Sequence, residues 1–187
     1  MPVRTIAKHM LALAALVAMA LIATPASAQQ LSFGGISLGS PGGPQRLALG
    51  AGAFDITPGG QRDAGTQGVF RGEYHFGDVL IPLFSPFVGV DVTTKGGSYV
   101  YGGFGFDVNF GPNWVLTPNG ALGFYQRGDG TRLGSWMEFR SGAELDYKFA
   151  DQSRLGLSVQ HTSNAGLTKF NPGEQEILVV YQLPLPW

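Results

Sequence analysis

Residues 137–149 change character with a period of two. Met137, Phe139, Ala143, Leu145, Tyr147 and Phe149 occupy odd positions, and Glu138, Arg140, Glu144, Asp146 and Lys148 occupy even ones. Successive side chains of a β-strand point to opposite faces, so this segment reads as a strand with one apolar and one charged face. The pattern recurs: Val100, Phe104, Phe106, Val108 and Phe110 oppose Tyr99, Tyr101, Asp107 and Asn109, while Phe70, Tyr74 and Phe76 oppose Arg71, Glu73 and His75. A chain built this way must give its charged faces water or one another.

Eight such segments of about ten residues, separated by turn residues, have the spacing of a transmembrane barrel. They span 46–56, 67–76, 84–94, 98–110, 114–127, 135–149, 153–163 and 175–184. The expected fold is all-β, an eight-stranded antiparallel transmembrane β-barrel whose lumen is narrow enough to be filled by a mixed-charge network. A soluble, lipocalin-like barrel gives the same alternation with inside and outside exchanged. Aromatic residues on the apolar face, suited to interfacial girdles, favour the membrane, as does a last strand that ends with Tyr181, Leu183 and Trp187 in step. That ending resembles the C-terminal assembly signal of outer-membrane barrels, which usually closes on Phe.

Composition agrees. The chain has 29 glycines, 13 phenylalanines and 13% charged residues, against roughly 25% charged in soluble domains. Beyond the N-terminus no stretch approaches the ~20 apolar residues of a spanning helix. Residues 1–28 read as a cleaved signal peptide: Arg4 and Lys8 are followed by the apolar run from Met10 to Ile22 and by Ala26-Ser27-Ala28. Residues 29–187 then form a single β-barrel domain. Without Arg4 and Lys8, 10 of the 12 basic side chains remain against 13 acidic ones, a net charge of −3 with no sign of nucleic-acid binding. With no cysteine in an exported chain, disulfides cannot hold the fold. Gln29 to Gln45, rich in Gly, Ser and Pro, reads as an extended leader.

Connections set an expected orientation. Long ones (57–66, 128–134, 164–174) and the Lys95-Gly96-Gly97 turn follow odd-numbered strands, whereas Gly111-Pro112-Asn113 and Ala150-Asp151-Gln152 are short. Barrels of this kind place long loops outside and short turns in the periplasm, which puts the end of the seventh strand at the outer leaflet.

Two histidines remain after the leader. His75 shares a face with Arg71 and Glu73 and reads as part of the interior network. His161 instead continues the apolar face of Leu155, Leu157 and Val159, with Ser163 next on that face. An imidazole beside a hydroxyl supplies the base that a serine nucleophile needs, and a third group must hold the ring in the useful tautomer. A merely polar rim at the membrane interface is the competing reading.

His161-Thr162-Ser163-Asn164-Ala165-Gly166, followed by Asn171-Pro172-Gly173 and an apolar closing strand, resembles the H-x-S-N-A-(G/S) and N-x-G region of PagL-type lipid A 3-O-deacylases. The resemblance covers about the last thirty residues and implies an outer-membrane serine esterase that removes the acyl chain ester-linked at position 3 of lipid A. Its site would lie on the barrel exterior facing the outer leaflet, with His161 as general base and Ser163 as nucleophile. An oxyanion site is implied around Asn164 and Gly166. The partners implied are lipid A or lipopolysaccharide and outer-membrane lipids, with a hint of homodimers and no cofactor.

The sequence departs from the family at the third member, where Gln175 stands in place of the expected Glu. Strand parity puts Gln175 on the face of Ile177, Val179 and Tyr181, and a bulge would be needed to turn Glu174 or Glu176 there. A poorly active homologue and a noncatalytic structural or adhesive barrel remain as rival readings. Gly102-Gly103-Phe104-Gly105 does not lead from a strand into a helix, so it reads as close-packed strand rather than a phosphate loop. Acidic residues show no metal-ligand spacing, and no metal is expected. Lys95, Arg127, Arg132 and Lys169 lie in or beside the long loops, where lipid A phosphates or plain solvent would suit them.

Overall fold

A computed structural model of the chain describes residues 31–40, 43–56, 64–77 and 83–186. The expected signal peptide and the terminal Trp187 lie outside the described residues. The strands are β1 (Leu31–Phe33), β2 (Ile36–Leu38), β3 (Arg46–Phe54), β4 (Gln67–His75), β5 (Ser85–Thr93), β6 (Ser98–Gly105), β7 (Val108–Phe110), β8 (Trp114–Gln126), β9 (Met137–Lys148), β10 (Arg154–Ser163) and β11 (Glu174–Pro184). Antiparallel pairing runs β8-β6-β5-β4-β3-β11-β10-β9, and a β8–β9 pairing closes the ring of eight staves.

The fourth expected strand is broken. Phe106 and Asp107 interrupt it, so β6 and β7 both pair with β8 and together form one stave. Residues 31–38 differ from the expected extended leader. Leu31-Ser32-Phe33 and Ile36-Ser37-Leu38 pair across Gly34-Gly35, whose φ angles of 56° and 83° suit a two-residue hairpin turn, and β2 continues the sheet beside β7. The signal was present as a Gly-Gly pair flanked by alternating apolar residues.

Inside and outside separate by parity. Val179, Leu157 and Phe70 are 56%, 46% and 57% exposed, whereas Arg71, Arg140 and Glu73 are buried within the ring. An apolar exterior around a charged interior is the inverse of a lipocalin and suits lipid on the outside. Arg71 makes a two-pronged pair with Asp91 (2.8 Å to each oxygen) and bonds Glu176. Arg140 bonds Glu73 at 2.7 Å, and the Tyr101 hydroxyl donates to Glu73 at 2.7 Å. His75 joins this network through Glu73 (2.9 Å) and stacks on Phe87. Toward the turn end, Arg154 holds Asp107 at 2.7 Å.

Glycines let the narrow wall close. A Cβ at Gly103 would meet the Gly120 carbonyl oxygen at 2.2 Å, and one at Gly123 would meet that of Val100 at 2.3 Å. At the long-loop end the lumen is capped by Phe54 stacked on Tyr125 (6.3 Å) and by buried Leu133 and Thr131 from the β8–β9 loop. Thr131 donates to Asp55 (2.8 Å), and the Tyr125 hydroxyl donates to the Thr131 carbonyl (2.7 Å), so that loop is fastened into the mouth.

Removing one partner from a buried ion cluster strands the others without water. Arg71→Met should therefore cost about 3–5 kcal/mol, read as a lower urea midpoint of intrinsic fluorescence in detergent micelles. The triple change Arg71→Met, Asp91→Asn, Glu176→Gln should recover most of the loss. A midpoint for Arg71→Met equal to wild type would show that the cluster does not contribute to stability.

Candidate active site

His161 and Ser163 sit at the end of β10, with Ser163 its last residue. The β10 ladder runs without a bulge. His161 faces Gln175 on β11 and Ser141 on β9, and Ser163 faces Phe139. Both site residues thus emerge on the exterior face that Leu155, Leu157 and Val159 form below them. Ser141 is the one polar side chain in the odd row of 137–149, so a signal for it existed in the sequence.

Regular pairing also separates the three candidates for orienting the ring. The Gln175 side-chain amide lies 3.0 Å from His161 Nδ1. Glu174 and Glu176 are buried on the lumen side, where Glu174 accepts the Asp55 N–H (3.3 Å) and Glu176 accepts from Arg71. Only Gln175 is in reach of the imidazole.

The amide end that meets the ring decides what the ring can do. Gln175 Nε2 toward the ring donates to Nδ1 and leaves the imidazole proton on Nε2, where it cannot act as a base. A half-turn of the amide brings Oε1 to accept the Nδ1–H bond and bares Nε2. In the present orientation Oε1 is buried without a donor among the described residues.

After Ser163 the chain makes a tight turn. Leu167 N–H donates to the Asn164 carbonyl at 3.0 Å, and Ala165 and Gly166 have φ of 51° and 79°. Two consecutive positive φ values are the mark of a type I′ turn, which glycine accepts readily and alanine only under strain. Asn164 is wholly buried and holds the turn: its Nδ2 lies 2.9–3.1 Å from the carbonyls of Phe170 and Leu133 and from Thr168 Oγ1. Its Oδ1 accepts the Gly166 N–H (3.1 Å), and its own N–H donates to Asn171 Oδ1 (3.0 Å). This last bond ties the two motifs together. The N–H groups of Asn164 and Gly166 are therefore engaged within the loop, whereas that of Ala165 meets no acceptor among the described residues.

Gly173, with φ of 64°, brings its backbone against both side chains. A Cβ there would lie 2.8 Å from His161 Cε1, 3.5 Å from Nε2 and 3.6 Å from Ser163 Cβ. The imidazole and the serine thus stand together against the backbone of Gly173, close enough that a single methyl group there would touch both. Gly134, which carried no sequence signal, lets the β8–β9 loop pack on the site loop, since a Cβ there would meet the Phe170 carbonyl oxygen at 1.8 Å. Of the loop cations, Arg132 lies over the Phe170 ring (4.8 Å), and Lys95 donates to the Ala64 carbonyl (2.6 Å). Lys169 is exposed on the site loop.

A family model described as Lipid A 3-O-deacylase (PagL) matches residues 83–184, more than half of the chain. The chain belongs to the PagL family. Among solved structures it is similar to one described as "Crystal structure of the outer membrane enzyme PagL", with a TM-score of 0.60 and 19% identity over 75% of this chain and 99% of that one. It is also similar to one from "De novo design of transmembrane beta-barrels", with a TM-score of 0.50 and 14% identity over 78% of this chain and 99% of that one. At such identities the structural likenesses speak to the fold. No curated protein matches. Family and fold together make this an outer-membrane barrel of the lipid A deacylase type.

Adding a methyl group at Gly173 tests whether the reaction uses this close approach. Gly173→Ala should lower lipid A deacylation at least about a hundredfold, as misplacement by ~1 Å can, while the barrel keeps its heat-modifiable migration. Gly96→Ala is the control for backbone strain, with φ of 75° and nothing within 4 Å; it should keep full activity. Undiminished turnover in Gly173→Ala would show that the close approach is not part of the site.

Proposed function

We propose that this PagL-family chain hydrolyses the ester-linked acyl chain at position 3 of lipid A, using Ser163 and His161 on the exterior of the barrel at the outer leaflet. The observation that carries the reading is the placing of His161 and Ser163 together against the backbone of Gly173, with the Gln175 amide 3.0 Å from Nδ1, on a face otherwise apolar. A lipid ester can reach the pair by diffusing along the wall, without leaving the membrane.

In the proposed reaction Ser163 Oγ attacks the ester carbonyl carbon as its proton passes to His161 Nε2. The tetrahedral intermediate expels the sugar oxygen, which takes the proton back from His161. Water, deprotonated by the same nitrogen, then attacks the acyl-serine and releases the fatty acid. The resemblance assigns the oxyanion site to Asn164 and Gly166. The hydrogen bonds of the turn favour a supporting part for those two, with the Ala165 N–H as the available donor between them.

Gln175 takes the orienting position, with its carbonyl accepting the Nδ1–H bond. A neutral amide positions the ring but stabilises the imidazolium less than a carboxylate does, so the reaction should run slowly. The long loops would face outward, placing the end of β10 where outer-leaflet lipid A resides.

Lipid A extracted from cells expressing the chain should lose one hydroxyacyl group by mass spectrometry, and Ser163→Ala and His161→Asn should each leave lipid A intact. Gln175→Glu should raise the rate by about tenfold or more, in keeping with the role of the third member. An unchanged lipid A profile with well-folded wild type would favour a structural barrel or a degenerate homologue. A rate unaffected by Gln175→Glu would remove Gln175 from the mechanism.

A further inference from the structure

The β1–β2 hairpin extends the barrel wall sideways at the turn end. Register places Phe33 beside Ile36, Ile36 beside Phe110, Phe110 beside Trp114 and Trp114 beside Tyr147, so five side chains form one cross-strand row. A second row runs Leu31, Leu38, Val108, Leu116 and Leu145. Between them lies the row Ser32, Ser37, Asn109, Val115 and Asp146, of which the last three are buried on the lumen side. The hairpin therefore carries the two-faced character of the wall beyond the ring: apolar outward and serine inward.

The wall residues that these rows continue are lipid-facing. Trp114 is 50% exposed and packs edge-on against Tyr147 (5.5 Å), which in turn meets Phe149 (5.1 Å). Such an aromatic cluster marks the headgroup level of a barrel. Phe33, 89% exposed, stands in register with it. Two added strands reach about 10 Å beyond β7. Among the described residues no strand lies beside the outer edge of β1, and unpaired backbone groups are excluded from the hydrocarbon core. Its level is thus set at the interface, where headgroups and water satisfy the edge while the outward side chains dip into acyl chains.

We propose that the Leu31–Leu38 hairpin is a membrane-interface wing, with Leu31, Phe33, Ile36 and Leu38 against the phospholipid acyl chains of the leaflet at the turn end and Ser32 and Ser37 toward water. The wing would brace the barrel against tilt and fix its depth. It stands independently of the deacylase reading.

Because the chain contains no cysteine, single-cysteine variants of the full-length protein can be spin-labelled cleanly. Leu31→Cys, Ser32→Cys, Phe33→Cys, Ile36→Cys and Ser37→Cys would be reconstituted in phosphatidylcholine/phosphatidylglycerol vesicles, with heat-modifiable migration confirming a folded barrel. Collision with oxygen should exceed collision with a water-soluble nickel chelate several-fold at 31, 33 and 36, with the order reversed at 32 and 37. Uniform nickel accessibility at all five positions would place the hairpin in water and overturn the proposal. Dipolar broadening between labels on separate molecules would overturn it too, by showing a second copy paired along β1.

Discussion

Closure of the backbone ladder is the constraint from which the rest follows. Once β8 pairs with β9, every stave has a neighbour on both sides, and the ring presents one face to its surroundings and one to itself. Lipid can accept no unpaired backbone polar group, so a closed ring is the way a strand-built chain spans a membrane. The ring must then accommodate whatever its inward positions carry. Here these are Arg71, Glu73, Asp91, Arg140 and Glu176, whose two guanidinium and three carboxyl groups pair with one another in place of water.

That arrangement leaves the exterior apolar except at its rim. A polar pair on a lipid-facing wall is costly at mid-depth and tolerable at the rim. His161 and Ser163 stand at the last turns of β10, where the apolar face gives way to the loops. Two loops hold them there. The β8–β9 loop is pinned into the mouth by Thr131 and Leu133, and the Leu133 carbonyl receives the Asn164 amide, so lumen packing supports a site outside the wall.

Gln175 carries a neutral amide at the position where the proposed reaction would favour a carboxylate. With β10 and β11 in unbroken register, its position is fixed to the imidazole, while Glu174 and Glu176 serve the interior. Turning Glu176 outward would leave Arg71 short of a partner, and turning Glu174 outward would take the acceptor from the Asp55 N–H. In the proposed reaction Gln175 keeps the geometry of an orienting residue without its charge.

The barrel was legible from the sequence because a strand states its two faces locally: Glu138 and Phe139 are adjacent in the chain and opposite in space for purely steric reasons. The same parity read His161, Ser163 and Gln175 onto one face before any pairing was known. The Leu31–Leu38 hairpin carries its alternation in arms of only three residues, and its place in the sheet depends on β7, far away in the chain. Other features depended on contacts between distant residues. The duty of Asn164 as a tie for two loops and the packing of Gly173 against His161 and Ser163 arise from neighbours brought together only when the ring closes. Local alternation determined the two sides of the wall; closure decided what stood beside the serine.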